Sequence, residues 1–202
     1  MIRPETGVKG QLTAAHCGAV GSTWVVHNGV AGSNSYYMLG QMTHRDTWYD
    51  GAVLGTTTSY PYMYTGAWNS DTYTPINGLA SPVIGTEICY SGSFSGLQCG
   101  NIVTHSESQV DYGVQISWAF TTVNSAGLAT VGQGDSGGPG YVLTSTGSGY
   151  KRYAATIISG IANGTGTCMG DVYPGRLCSA MAFSTSVSGA LGSTGWALQV
   201  LP

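Results

Sequence analysis

Charge is the scarcest commodity in this chain of 202 residues: Asp, Glu, Lys and Arg together make up 7% of it. The six basic residues form no cluster and the formal net charge is −3, which excludes the concentrated positive surface that nucleic acid or an anionic membrane requires. Apolar runs long enough to cross a bilayer as a helix are absent, and Met1 is followed by Arg3, Pro4 and Glu5 rather than by an apolar signal segment. There is no C-x-x-C pair and no His/Cys cluster, so the five cysteines read as disulfide partners rather than metal ligands. The odd count leaves one thiol without an internal partner.

Helical periodicity is also nearly missing. What stands in its place is 32 glycines, 13 tyrosines and abundant Ser and Thr, a composition that suits an extracellular, turn-rich all-β protein. Short β-branched and aromatic stretches recur between Gly, Ser and Asn turns, at Ser22 to His27, Tyr36 to Leu39, Val114 to Phe120 and Arg152 to Ile161, and are expected to be strands. A brief helical turn is expected near Thr185 to Leu191, with Trp196 to Val200 as a last strand. The segment Trp68 to Pro82 lacks hydrophobic alternation and is the expected linker between residues 1–78 and 79–202, which share no sequence repeat.

Two short motifs carry chemistry. In Gly132-Gln133-Gly134-Asp135-Ser136-Gly137-Gly138-Pro139 a serine sits among glycines that allow a tight turn, with successive backbone N–H groups aimed at one point. A plain Gly-rich surface loop is the competing reading. In Leu12-Thr13-Ala14-Ala15-His16-Cys17 small residues leave an imidazole room to turn toward a cleft. His27, His44 and His105 lack such surroundings and read as structural or solvated.

A serine hydroxyl is a weak nucleophile until a base takes its proton, and a neutral imidazole needs a carboxylate to fix its tautomer. Asp50, before Gly51-Ala52-Val53-Leu54, stands at the mouth of an apolar strand and is the favoured third member, with Asp46 as the alternative.

Together, Thr13-Ala14-Ala15-His16-Cys17, the Asp50 strand and Gly134-Asp135-Ser136-Gly137-Gly138-Pro139 resemble the chymotrypsin-like serine proteases, in the order His, Asp, Ser. Ile88-Cys89-Tyr90-Ser91-Gly92 with Gln98-Cys99-Gly100 resembles the bacterial branch that includes α-lytic protease and the streptogrisins, in which this cysteine pair is bridged. The resemblance implies two perpendicular six-stranded β-barrels with the active site between them. It implies His16 as base and later acid, Asp50 as its orienter, Ser136 as nucleophile, and the N–H groups of Gly134 and Ser136 as an oxyanion hole. Ser159-Gly160-Ile161 would pair with the substrate backbone, with Ser159 also bonding the triad carboxylate; an ordinary core strand is the other reading. Thr130 and Val131 would line the primary specificity pocket, and with no aspartate at Thr130 an apolar side chain is expected there rather than Lys or Arg.

The chain departs from the family in three places. Cys17 would pair upstream of Met1, and only fifteen residues precede His16, so a truncated amino end and an incomplete first barrel are expected. Tyr90 stands where the bacterial branch carries the arginine that neutralises the aspartate before the nucleophile, leaving Asp135 in need of another partner. Thr130 replaces a cysteine of α-lytic protease, which leaves Cys168 and Cys178 to pair with each other, although sequence alone does not fix connectivity.

The expected activity is thus that of a secreted serine endopeptidase, acting as a monomer on peptide or protein substrates. It would need no metal or organic cofactor and would work from neutral to alkaline pH, where an imidazole of pKa ~6.5 is unprotonated. The rivals are a homologue that binds peptides without cutting them and a fragment that folds poorly. The sequon Asn163-Gly164-Thr165 matters only in a eukaryotic host.

Overall fold

The computed structural model describes residues 1–2, 5–27, 36–56, 58–111 and 114–201. The described chain is almost entirely β, with one short helix near its end.

The amino-terminal half is built on β1 (Lys9–Ala14), β2 (Thr23–His27), β3 (Tyr36–Asp46) and β4 (Gly51–Thr56). They form one antiparallel sheet in the order β1-β4-β3-β2. Met42, Ala52 and Leu54 bury their side chains on one side of it together with Ala15. Two register shifts bend the sheet, at Trp24/Val25 and at Met42/His44. Among the described residues this sheet does not close on itself.

Three short strands follow, β5 (Tyr62–Tyr64), β6 (Tyr73–Pro75) and β7 (Gly78–Leu79). The stretch read as a linker is therefore partly strand: β6 pairs with β5, and β7 lies parallel to a strand of the second half.

That half comprises β8 (Glu87–Gly92), β9 (Gly96–Asp111), β10 (Val114–Asn124), β11 (Val131–Gly132), β12 (Pro139–Thr146), β13 (Gly149–Ala162), β14 (Cys178–Ser179) and β15 (Met181–Ser186). Pairing runs β12-β8-β9-β10-β15-β13, and β13 pairs back with β12, so six strands close into a barrel. Ile88, Tyr90, Val103, Phe120, Val131, Ala155, Ile158 and Ala182 fill it. Full closure leaves none of these six strands as a bare edge along its whole length.

The two halves share a core. Ala14 and Val53 from the first sheet meet Ile157 of β13 and the apolar face of α1 (Val187–Thr194), with Trp196 sealing the end. The helix starts two residues later than Thr185, because the Ser186 hydroxyl accepts the Gly189 N–H at 3.2 Å and caps it. It stops at Gly195, whose φ of 71° is readily adopted by glycine. The strand expected over Trp196 to Val200 does not form. Only Ala197 pairs, with Ile2, and Leu201 N–H turns instead to the Ile76 carbonyl.

Candidate active site

His16 is held by the turn that joins β3 to β4. Asp50 ends that turn with φ 45°, a left-handed conformation that Asp tolerates better than most residues. Its carbonyl accepts the Ala15 N–H at 2.9 Å, and its carboxylate Oδ1 accepts the His16 N–H at 2.8 Å. The other carboxylate oxygen, Oδ2, lies 2.8 Å from His16 Nδ1. Both side-chain oxygens of this fully buried residue thus point at one histidine, which leaves Nε2 as the ring nitrogen facing away from it. Asp46, the alternative, binds Trp48 N–H and the Ser193 hydroxyl at the surface instead.

The Asp50 carboxylate, followed by the Cys17 side chain, pushes the imidazole up from 6.5 to about 10, against the smaller opposing effect of burial. The neutral form that could accept a proton therefore becomes the major one only in alkaline solution, higher than the near-neutral onset expected from the sequence.

Ser136 stands at the tip of a tight turn between β11 and β12. Asp135 N–H donates to Gly132 O, Gly138 N–H to Asp135 O, and Gly137 N–H to Ile158 O, which ties the turn to β13. Gly134, at φ 92°, lies where a Cβ would collide with the Phe94 ring, so only glycine fits without rearrangement. The backbone N–H groups of Gly134 and Ser136 donate to no acceptor among the described residues.

His16 and Ser136 line one cavity of about 380 Å³, together with Val131, Ile158, Ser159, Gly160, Ile161, Asn163 and Leu177. Among its lining residues His16 alone is titratable. No hydrogen bond joins the Ser136 hydroxyl to His16 among the described residues; catalytic hydrogen bonds of this kind often tighten only when substrate is bound.

One position read from the sequence falls elsewhere, and a second lines the cavity without its expected bond to the carboxylate. Thr130 is buried with its hydroxyl donated to Asn101 Oδ1 at 2.6 Å and does not line the cavity, whereas its neighbour Val131 does. The Ser159 hydroxyl is 3.5 Å from both Ile157 O and Thr185 Oγ1, and among the described residues it makes no bond to Asp50. Of the other histidines, His44 contacts Thr43 and packs edge-on against Trp196, and His105 contacts Thr104 on the exposed surface. The side chain of His27 lies outside the described residues.

The cysteines pair as Cys89–Cys99 and Cys168–Cys178, and Cys17 is free. Tyr90 does not approach Asp135: its ring lies in the barrel core and its hydroxyl meets Thr122 and Ser184, each at 3.0 Å. The partner of Asp135 is Arg176, at 3.0 Å in a pair whose side chains are both fully buried. Reading of the motifs missed this residue. Its signal was an arginine enclosed by Cys168 and Cys178, one of six basic residues in the chain.

No protein-family model matches the chain. Several solved structures do. The Nocardiopsis protease NAPase is 25% identical, with a TM-score of 0.59 over 94% of this chain and 84% of that one. A glutamic-acid-specific serine protease, described as using a histidine triad in substrate binding, is 23% identical, with a TM-score of 0.63 over 93% and 85%. Cellulomonas bogoriensis chymotrypsin is 19% identical, with a TM-score of 0.63 over 94% and 85%. The closed barrel, the open sheet beside it and these matches across most of the chain give one result: the protein has the fold of the bacterial chymotrypsin-like serine proteases.

Proposed function

We propose that the chain is a serine endopeptidase that cleaves peptide bonds through an acyl-enzyme, with Ser136 as nucleophile, His16 as general base and acid, and Asp50 as orienter. The observation that carries this reading is the buried Asp50 carboxylate at 2.8 Å from His16 Nδ1, beside a cavity that Ser136 also lines. Neutral His16 takes the Ser136 proton at Nε2 as Oγ attacks the scissile carbonyl carbon. The oxyanion that forms is received by the unengaged N–H groups of Gly134 and Ser136. His16 then returns the proton to the leaving amine, and the same base activates water to release the acid.

Residues 1–78 supply the base and orienter and residues 79–202 the nucleophile, so the reaction lies at the junction of the two halves. Pairing of β12 with β13 ends at Ile157, which leaves the backbone around Ser159 and Gly160 as the place for a substrate strand. The walls formed by Val131, Ile158, Ile161 and Leu177 favour an apolar side chain at the cleaved bond over a charged one. Two disulfides in so small a chain fit a secreted protein.

A second reading, peptide binding without cleavage, draws on the missing Ser136–His16 hydrogen bond. Hydrolysis of chromogenic peptides differing only in the residue before the scissile bond separates the two. The enzyme reading expects Leu- or Phe-type substrates to be cut in preference to Lys- or Glu-type ones, and Ser136→Ala to lower turnover by on the order of 10⁶. Turnover that survives Ser136→Ala would remove Ser136 from the mechanism.

A further inference from the structure

Arg176 is saturated. Its Nε donates to Gln133 O at 2.9 Å, Nη1 to Met169 O and Asp171 O at 2.8 Å each, and Nη2 to Ser95 Oγ at 2.9 Å and Asp135 Oδ2 at 3.0 Å. A guanidinium has five N–H donors in a rigid fork, and here every one has an acceptor. The carboxylate it meets is equally committed: Asp135 accepts Phe94 N–H and Ser95 N–H at Oδ1, and the Ser95 hydroxyl and Gly132 N–H at Oδ2.

These bonds converge on one stretch of backbone. Gly132 is held through Asp135, Gln133 directly through its carbonyl, and Asp135 itself lies between Gly134 and Ser136, whose N–H groups are unengaged. The Gln133 side chain closes the same circuit by accepting Leu177 N–H at 3.1 Å, and Gln133 N–H donates to Leu177 O at 2.9 Å. Arg176 arrives on the segment that the Cys168–Cys178 bridge closes, and Cys178 pairs with Gly132 across β11 and β14. The Phe94 ring, which excludes a side chain at Gly134, also lies 5.5 Å from the Arg176 guanidinium carbon.

We propose that Arg176, presented by the Cys168–Cys178 loop, is the positioning residue that fixes residues 132–136 so that the N–H groups of Gly134 and Ser136 converge on one anion. The proposal rests on the reading of Ser136 as nucleophile. Arg176 touches no substrate; it acts through Asp135 and the Gln133 carbonyl. Because an oxyanion exists only in the reaction's tetrahedral state, losing this order lowers turnover more than substrate affinity.

The test uses Arg176→Met, which removes the charge and all five donors, and Arg176→Lys, which keeps a charge for Asp135 with fewer, less directed donors. The double variant Arg176→Met/Asp135→Asn leaves no unpaired charge and serves if the single variant does not fold. Thermal melting establishes that each is folded. Peptide hydrolysis, fluorophosphonate labelling and amide hydrogen exchange at Phe94, Ser95 and Gly132 are then compared with the parent. The proposal expects Arg176→Met, or the double variant, to lose about 30-fold or more in kcat with KM changed less than about threefold, to label slowly and to exchange those amides faster, with partial recovery in Arg176→Lys. A folded Arg176→Met or double variant with parental kcat and parental exchange would overturn it. A parent protein that neither cuts nor labels would sink the protease reading alone, and the exchange data would still decide whether Arg176 orders this backbone.

Discussion

Replacing Asp50 by asparagine preserves shape and changes what His16 is told to do. The carboxylate accepts two bonds, from His16 N–H and at His16 Nδ1, each at 2.8 Å in a fully buried site. An amide can accept only one of them. If its oxygen keeps the backbone N–H, its NH₂ faces Nδ1, which must become an acceptor, and the ring proton moves to Nε2, where it blocks transfer from Ser136. In other triads this wrong tautomer costs about 10⁴ in kcat. A second effect opposes it. Asp50 is the largest cause of the rise of His16 to about 10, so the variant's imidazole falls back toward the ordinary value. At pH 8 a base of pKa about 10 is only ~1% neutral, whereas one near ~6.5 is almost wholly neutral, an advantage to the variant of up to ~100-fold. The parent should therefore exceed Asp50→Asn by about 10² at pH 8 and by about 10⁴ at pH 10.5, where both bases are mainly neutral. Measuring kcat/KM for a Leu-type peptide from pH 7 to 10.5 reads this directly. A ratio that stays constant over that range would refute the assignment of Asp50 as the group that both orients and charges His16.

Gly134→Ala forces a side chain into φ 92° and into the Phe94 ring, so a lower denaturation midpoint is expected, with a loss of about 10²–10³ in kcat as one anion donor is displaced. Parental turnover in that variant would show that the Gly134 N–H is not used. Removing the Cys168–Cys178 bridge by serine substitution at both positions reopens a short loop and should lower unfolding free energy in urea by about 2–3 kcal/mol. An unchanged midpoint would mean that the loop is held without it.

The elements visible in the sequence were those whose signal is local. Ser136 and His16 stood out because glycines and alanines crowd around them, and Asp50 could be preferred over Asp46 because an apolar strand follows it. Each of those readings needs only a few neighbouring residues. Arg176 lies 41 positions from the carboxylate it serves, and no local pattern joins them; only its enclosure by two cysteines hinted at a role. Thr130 illustrates the converse error. Val131 opens β11 on the cavity side, whereas Thr130, just before the strand, gives its hydroxyl to Asn101, so neighbours in sequence face different ways. Trp196 to Val200 was expected to be a strand, but a strand needs partners along its length, and among the described residues only Ile2 pairs there. The rise of His16 was not legible for a similar reason: its largest cause is a carboxylate 34 residues away.

The central claim is that Ser136 is activated by His16 beside a ready anion site. A fluorophosphonate probe tests it most directly, because the reagent bonds to a serine only when base and oxyanion donors act together. After incubation at alkaline pH, peptide mapping should place the label on Ser136, with none in His16→Ala. A protein that melts cooperatively yet takes up no label, or takes it up elsewhere, would contradict the account.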